Sequence, residues 1–159
     1  MTEIAPFDQL AGSVDASTGS VAIVAARFND FIVASLLKGA TACWKEHGGT
    51  PDRLTIVRVP GAFELPLAAK RLAASGRFAA VIALGCVIRG DTAHFDYVAG
   101  EAASGLTQAS LQTGVPIVFG VLMVESVEQA IERAALLRMN KGGESMQVAL
   151  EMASLFRHL

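Results

Sequence analysis

Four short apolar runs most constrain what this chain of 159 residues can fold into. They extend from Ser20 to Ala26, Leu54 to Val59, Ala79 to Cys86 and Pro116 to Val124. In the third run no polar residue alternates with the apolar ones, which is typical of a strand covered on both faces. Such runs predict a parallel sheet with helices above and below it.

The segments between these runs have the spacing and the composition of helices. Ile32 and Leu36 belong to an apolar stripe with steps of three and four residues. Pro66 stands where the first turn of a second helix is expected, and proline is tolerated there. Ser126 and Gln129 have the spacing of a capping box. The predicted helices are 31–47, 64–75, 94–111, 126–138 and 144–156.

The resulting order, βαβαβαβαα, gives a four-stranded parallel sheet because short right-handed crossovers place each helix against one face of it. We predict a flavodoxin-like, three-layer αβα sandwich that forms a single domain over residues 20–159. Residues 1–19 contain Gly, Ser and Thr without a clear period, and we predict that they form an N-terminal arm.

The composition argues against several classes of function and favours assembly of several copies. A net charge of −2 provides no electropositive surface for nucleic acid. Two cysteines outside any metal-binding pattern, and an N-terminus unlike a leader, favour a cytoplasmic protein without metal or membrane span. Charged residues are only 18%, against about 25% in an ordinary domain. We therefore expect a doubly covered sheet and contacts with other subunits.

Ligands of open parallel sheets bind outside the carboxyl ends of the strands, so the loops after the runs form the candidate site. Phe28 and Phe63 lie in such loops, where a ring either stacks on a heterocycle or fills the core. Glu64 either binds hydroxyl groups or stabilises the start of its helix. No GxGxxG follows the first run, so a dinucleotide site is not supported.

The loop after the third run combines a phosphate-binding pattern with a titratable side chain. Gly90-Asp91-Thr92 enters a helix whose free N–H groups suit a phosphate monoester; the alternative is an ordinary capped helix start. His94 can exchange a proton near neutral pH, and its alternative is a hydrogen-bonded structural role. Arg133 is a further candidate, either for a phosphate or as a solvated surface residue. The role of Lys141, which lies in a glycine-flanked turn, stays open.

Several loop segments also occur together in the order of one enzyme family. They are ARFNDFI (26–32), VPGAFELP (59–66), ALGCVIRGDTAHFDYV (83–98), PIVFGVL (116–122), ESVEQAIERA (125–134) and NKG (140–142). Each segment alone is a weak signal, but their common order is not expected by chance. From about residue 20 to its end, the chain resembles the 6,7-dimethyl-8-ribityllumazine synthase family.

The resemblance implies an enzyme and its reaction. Family members condense 5-amino-6-(D-ribitylamino)uracil with 3,4-dihydroxy-2-butanone 4-phosphate, release phosphate and water, and need no metal or organic cofactor. This is the penultimate step of riboflavin biosynthesis. The implied partners are the two small molecules, further copies of the chain and riboflavin synthase.

The resemblance also implies which residues hold the pyrimidine substrate. Phe28 would stack on the pyrimidine ring. The ribitylamino part would contact Ala62, Phe63 and Glu64. The edge of the ring would meet the backbone of Cys86, Val87 and Ile88.

A second set of residues is implied for the phosphate substrate and the chemistry. Asp91, through its main chain, and Thr92 would bind this substrate, and Arg133 would clamp its phosphate. His94 would donate or relay protons. Lys141 would be a further substrate contact, and Phe119 would enter from a neighbouring subunit.

One segment departs from the family pattern. Family members are pentamers, and some assemble into sixty-subunit shells. Many shell-forming members read R-A-G-x-K-x-G-N-K-G before the last helix, whereas this chain has Ala135, Leu137 and Met139 in place of the two glycines and the lysine. Because the segment keeps its length, both a pentamer and a shell of pentamers are expected forms.

Two other classes of function are alternatives. A protein of this fold can hold a lumazine or a flavin, or form a container, without catalysing a reaction. Such a protein would not need Phe28, Glu64, His94 and Arg133 together. An unrelated flavodoxin-like domain would instead bind FMN, which a titration with FMN would detect.

Overall fold

The structure, a computed structural model, describes residues 7–159. Its strands and helices alternate until two helices close the chain, which confirms the predicted order. The strands are β1 (Val21–Ala26), β2 (Leu54–Val59), β3 (Ala80–Ile88) and β4 (Ile117–Val124). The helices are α1 (Asp30–Glu46), α2 (Leu65–Ala74), α3 (His94–Thr113), α4 (Val127–Ala134) and α5 (Lys141–Phe156). Within the described residues, no helix combines the length and apolar character needed to cross a bilayer.

The four strands form one parallel sheet in the order β2-β1-β3-β4. Val21 of β1 pairs with Leu54 on one side and with Ala80 on the other, and Val81 of β3 pairs with Ile117. The chain therefore moves outward from β1 to β2 and returns to β3 on the opposite side of β1. The connections after β1 and β3 diverge, and ligands of open sheets bind in the crevice that this divergence creates.

Alternate residues of the central strands face opposite layers of helices. Val21 and Ile23 pack with buried residues of α1, α4 and α5, whereas Ala22 and Val24 pack with those of α2 and α3. All of β1 is buried, as expected for a strand inside a doubly covered sheet. This arrangement confirms the predicted three-layer αβα sandwich.

The edge strand β4 leaves apolar side chains uncovered. Phe119 and Met123 point away from the core and are exposed, although their neighbours in β4 are buried. Exposed apolar edge strands tend to associate with another chain. The other edge strand, β2, also has an exposed apolar side chain, that of Ile56.

Three elements end two or more residues from their predicted ends, among them α3, which reaches Thr113 rather than Leu111. β3 continues to Ile88 rather than ending at Cys86, because Ile88 still pairs with Val124 of β4. α4 ends before Ala135, rather than near Arg138, because Ala135 has an extended backbone (φ −63°, ψ 134°). The boundaries of β3 and α4 depend on the path of the chain rather than on local helix or strand preference.

α5 begins before the Gly142-Gly143 pair rather than at Glu144, so the two glycines lie inside the helix instead of interrupting it. Asn140 caps the helix by accepting a hydrogen bond from the N–H of Gly143 (3.1 Å). The reason for glycine at position 142 is the close approach of α1, where a Cβ would lie 2.0 Å from the carbonyl oxygen of Leu36.

Part of the predicted arm packs against the domain. Ala16, in a short 3₁₀ turn, is fully buried, and its N–H donates to the carbonyl oxygen of His47 (3.1 Å). The N–H of Ser13 donates to the hydroxyl of Ser154 in α5 (3.2 Å). Residues 1–6 of the predicted arm lie outside the described residues, and the boundary at residue 20 stays a prediction.

Candidate active site

A cleft of about 730 Å³ opens at the carboxyl ends of β1 and β3, where the connections diverge. It is lined by Phe28, by residues 60–64 and 86–88, and by six residues between Gly90 and Val98. We call it the aromatic cleft. Its walls are mostly apolar with a few polar groups, as is usual for sites that bind small molecules.

Two phenylalanines of the aromatic cleft are exposed. Phe28 follows β1 and is 71% exposed; Phe63 lies in the 3₁₀ turn Ala62–Glu64 after β2 and is 59% exposed. Fully burying a phenylalanine side chain contributes about 1.5–3 kcal/mol, and both rings lack more than half of this contribution in the isolated chain. Filling of the core therefore does not apply to either ring. A ligand or another subunit is expected to cover them.

The backbone of β3 presents a free edge beside Phe28. Pairing with β1 stops at Leu84, whereas pairing with β4 continues to Ile88. On the β1 side, the backbone of residues 85–88 is thus outside the ladder. One of these backbone groups already has a partner, because the side-chain amide nitrogen of Asn29 donates to the carbonyl oxygen of Cys86 (2.9 Å). Asn29 stands at the N-cap position of α1, but its side chain does not cap the helix.

The loop Gly90–Ala93 leads into α3, whose first residue is His94. The His94 side chain is exposed, lines the aromatic cleft and has no hydrogen-bond partner among residues 7–159. A hydrogen-bonded structural role therefore does not apply to it. The hydroxyl of Thr92 accepts the N–H of His94 (3.4 Å). The N-terminus of a helix of this length favours an anion at this place.

The two cysteines are not activated as nucleophiles. Burial raises the pKa of the Cys86 thiol to about 11. Burial, together with the nearby carboxylate of Glu46, also raises the pKa of Cys43 to about 11. Because the thiolate is the nucleophilic form, neither side chain is suited to covalent catalysis at neutral pH.

A second cleft, of about 580 Å³, runs along the outer edge of β4. Phe119, Arg133 and Lys141 line it, and we call it the basic cleft. Arg133 donates to the carbonyl oxygen of Gln129 (3.2 Å) and has no carboxylate partner in the described part of the chain. Lys141 is paired with Glu144 at 2.8 Å. The guanidinium of Arg133 is therefore available to an anion.

The structure separates the predicted site residues into two groups. Nine of them line the aromatic cleft, namely Phe28, Ala62, Phe63, Glu64, Cys86, Val87, Ile88, Thr92 and His94. Phe119, Arg133 and Lys141 line the basic cleft. The side chain of Asp91 is exposed and lines neither of these clefts. A single chain thus does not bring Arg133 and His94 into one cleft.

Sequence reasoning missed several residues of the aromatic cleft. Tyr97 and Val98 line it and follow His94 by three and four residues, the spacing that places helix residues on one face. That signal was available in the sequence. Asn29 had no such signal as a partner of Cys86, because 57 positions separate the two residues. The remaining lining residues are Pro60, Gly61, Gly90 and Phe95.

Comparison with known proteins finds relatives over nearly the whole chain. The family model described as 6,7-dimethyl-8-ribityllumazine synthase matches residues 18–157. A 6,7-dimethyl-8-ribityllumazine synthase of Chlorobium luteolum is 52% identical over 151 residues, which cover 95% of this chain and 97% of that protein. A protein of the same name from Chlorobium chlorochromatii is 49% identical over 153 residues (96% and 99%). One from Chloroherpeton thalassium is 50% identical over 148 residues (93% and 96%).

Proposed function

The chain belongs to the 6,7-dimethyl-8-ribityllumazine synthase family, and from this premise we propose that the aromatic and basic clefts are the two halves of its active site. The protein is a transferase of riboflavin biosynthesis. It condenses 5-amino-6-(D-ribitylamino)uracil with 3,4-dihydroxy-2-butanone 4-phosphate and releases phosphate and water. One observation supports this assignment most directly: the exposed rings of Phe28 and Phe63, the free edge of β3 and His94 all lie in one cleft.

The aromatic cleft receives the pyrimidine. Phe28 stacks on its ring, since an exposed ring beside a free strand edge suits a flat heterocycle. The backbone of Cys86–Ile88 hydrogen-bonds to the edge of the ring, whose carbonyl and N–H groups match those of a strand. Ala62, Phe63 and Glu64 hold the ribityl chain; the carboxylate of Glu64 accepts hydrogen bonds from its hydroxyl groups.

The phosphate substrate lies between the loop Gly90–Ala93 and the basic cleft. The N–H groups at the start of α3 and the hydroxyl of Thr92 donate to the phosphate, while Asp91 contributes its main chain and keeps its carboxylate in solvent. Arg133 binds the phosphate through its planar fork of N–H donors. Lys141 adds a second positive charge.

Each bond forms between groups held side by side. The 5-amino group attacks the ketone and loses water to form an imine. Removal of a proton next to the imine then breaks the C–O bond and expels phosphate. After tautomerisation, the ribitylamino nitrogen attacks the remaining carbonyl, and loss of water closes the ring. His94 donates and relays the protons, while proximity of the two substrates supplies much of the acceleration.

The basic cleft of one subunit completes the aromatic cleft of its neighbour, so Phe119 and Arg133 act across the interface. Two observations support this arrangement: Arg133 and His94 line separate clefts within one chain, and the β4 edge is apolar and exposed. A contact between two different surfaces closes into a ring when the rotation between neighbouring subunits divides a full turn. We propose a pentamer as this ring and a sixty-subunit shell of pentamers as its further assembly.

Further partners and location follow the same reading. The enzyme works in the cytoplasm. Its net charge of −2 provides no electropositive surface for nucleic acid, so nucleic acid is not a partner. Riboflavin synthase, which consumes the product, is the protein partner that an assembly of this enzyme would accommodate. Light scattering tests the assembly, because a pentamer of 16.6-kDa chains has a mass of about 83 kDa.

The direct test mixes the purified protein with both substrates and with each substrate alone. Phosphate release and the absorbance of the lumazine product are recorded together. Turnover that requires both substrates establishes the reaction for this protein. If a folded oligomer gives neither phosphate release nor lumazine absorbance, the assigned reaction is contradicted and a binding or container protein is favoured.

The shared site is tested by mixing His94→Ala and Arg133→Ala chains in equal amounts during refolding. If the site combines two subunits, about a quarter of the interfaces carry both native residues, and activity rises toward a quarter of wild type. If both residues act within one chain, no mixed oligomer has an intact site and activity stays at the level of the variants. Each variant refolded alone is the control.

A further inference from the structure

We propose that Arg89 is a positioning residue that holds the loop Gly90–Ala93 in place for the phosphate-bearing substrate. The proposal rests on the proposed function, because it concerns the same site. Arg89 directly precedes this loop, and none of the roles assigned above uses it. Its backbone N–H pairs with the end of β4, and its side chain contacts Glu125 just before α4 and the first turn of α3.

At the near end of the loop, Arg89 is tied to the end of β4. Its N–H donates to the carbonyl oxygen of Val124 (2.9 Å), which extends the pairing of β3 with β4. Its Nε lies 2.9 Å from one carboxylate oxygen of Glu125 and 3.2 Å from the other. Glu125 directly precedes Ser126, the N-cap of α4. The side chain therefore joins β3 to the helix that carries Arg133.

At the far end of the loop, Arg89 contacts the first turn of α3. Its guanidinium carbon lies 4.4 Å from the centroid of the Phe95 ring. Its Nη1 lies 3.5 Å from Oδ1 of Asp96. Phe95 also lines the aromatic cleft and directly follows His94. One guanidinium thus fixes the start of α3 relative to the sheet.

The loop itself has few other restraints. Its side chains are exposed, and the hydrogen bonds that it makes within residues 7–159 are short-range. The N–H of His94 donates to Thr92 (3.4 Å), and the N–H of Asp96 donates to the carbonyl oxygen of Ala93 (3.1 Å). Such a loop depends on the anchoring of its ends to keep its N–H groups directed at an anion.

The charges around Arg89 distinguish it from a phosphate ligand. Its positive charge faces the carboxylates of Glu125 and Asp96. Without Arg89, both carboxylates would stand uncompensated beside the site of a phosphate dianion, and their repulsion would oppose its binding. Arg89 therefore acts through geometry and neutralisation, whereas Arg133 is the group that reaches the phosphate.

The test compares Arg89→Gln and Arg89→Lys with the wild type while each substrate is varied in turn. For Arg89→Gln we expect kcat/KM for the phosphate substrate to fall roughly tenfold, the combined effect of two exposed ion pairs and one cation–π contact. The KM for the pyrimidine should stay unchanged. Added salt should reduce the loss, because it screens the repulsion. Arg89→Lys keeps the charge and should recover part of the loss.

Arg53→Gln is the matched control. Arg53 also lies over an aromatic ring, 5.4 Å from the centroid of Trp44, but at the opposite end of the sheet, before β2. It should lower thermal stability without moving either KM. The positioning role is overturned if Arg89→Gln has wild-type constants, or if it raises both KM values equally with only the stability loss of Arg53→Gln. Turnover by the wild type keeps the proposed function intact in both cases, whereas its absence overturns both proposals.

Discussion

Replacing Gly142 by alanine should force α1 and α5 apart. A Cβ at this position would lie 2.0 Å from the carbonyl oxygen of Leu36, 2.7 Å from its carbonyl carbon and 2.9 Å from its Cα. Ordinary contact of a Cβ begins near 3.4 Å, so the two helices must separate by roughly 1.4 Å at this point. All three atoms belong to backbone, so no side-chain rotation relieves the contact.

The expected magnitude follows from two opposing effects. Overpacking costs about 1–3 kcal/mol, and the rigid backbone on both sides places this contact at the upper end. Alanine is favoured over glycine inside a helix by about 1 kcal/mol. The free energy of unfolding should therefore fall by about 2 kcal/mol. For a domain of this size, this corresponds to a Tm lower by about 4–8 °C.

The assay is urea unfolding followed by far-UV circular dichroism at one protein concentration, because assembly makes stability depend on concentration. Gly100→Ala is the matched control. Gly100 lies in α3, and apart from its chain neighbours and the adjacent backbone of its own helix no atom lies within 4 Å of the position that an added methyl group would occupy, so alanine there should stabilise by up to about 1 kcal/mol. A Gly142→Ala protein as stable as the wild type would refute the reasoning.

The remaining predictions concern the site and the thiols. His94→Ala should lower kcat about 10²–10⁴-fold without abolishing turnover; a rate below that range in the lumazine absorbance assay would assign more of the catalysis to His94. Arg133→Ala should raise the KM for the phosphate substrate, and an unchanged KM would remove Arg133 from the site. Burial raises the pKa of Cys43 and Cys86 from 9.0 to about 11. Each thiol therefore stays protonated in the folded protein up to a higher pH than in the unfolded chain. The stability that the buried neutral thiols contribute is complete below about pH 9 and is lost as the pH rises toward 11. Urea midpoints at about pH 8 and pH 10 should fall less in Cys43→Ala than in the wild type.

The elements themselves could be predicted because their signals are local. The apolar run that forms β1 and the stripe of Ile32 and Leu36 in α1 are visible within a few residues. The prediction was wrong at boundaries that depend on distant partners. Ile88 stays in β3 because Val124 lies beside it, and the sequence around Ile88 does not contain that information.

The candidate site could be located from the sequence, but not its division between two clefts. Phe28, Phe63 and His94 were expected at one edge because parallel strands end together there, and all three line the aromatic cleft. Arg133 follows the last strand in the same way, yet it lines the basic cleft. The difference arises because β4 is the outer strand, so α4 projects its side chain beside the edge of the sheet.

The sequence by itself determined the order of strands and helices, the two faces of the sheet and the loops that hold the candidate chemistry, because apolar spacing and turn residues act over short distances. The tertiary structure alone decided that position 142 favours glycine over any residue with a Cβ, that Asn29 donates to Cys86 rather than capping its own helix, and that Arg89 contacts Glu125 and Phe95. These features depend on which distant segments the sheet order brings within a few ångströms of each other.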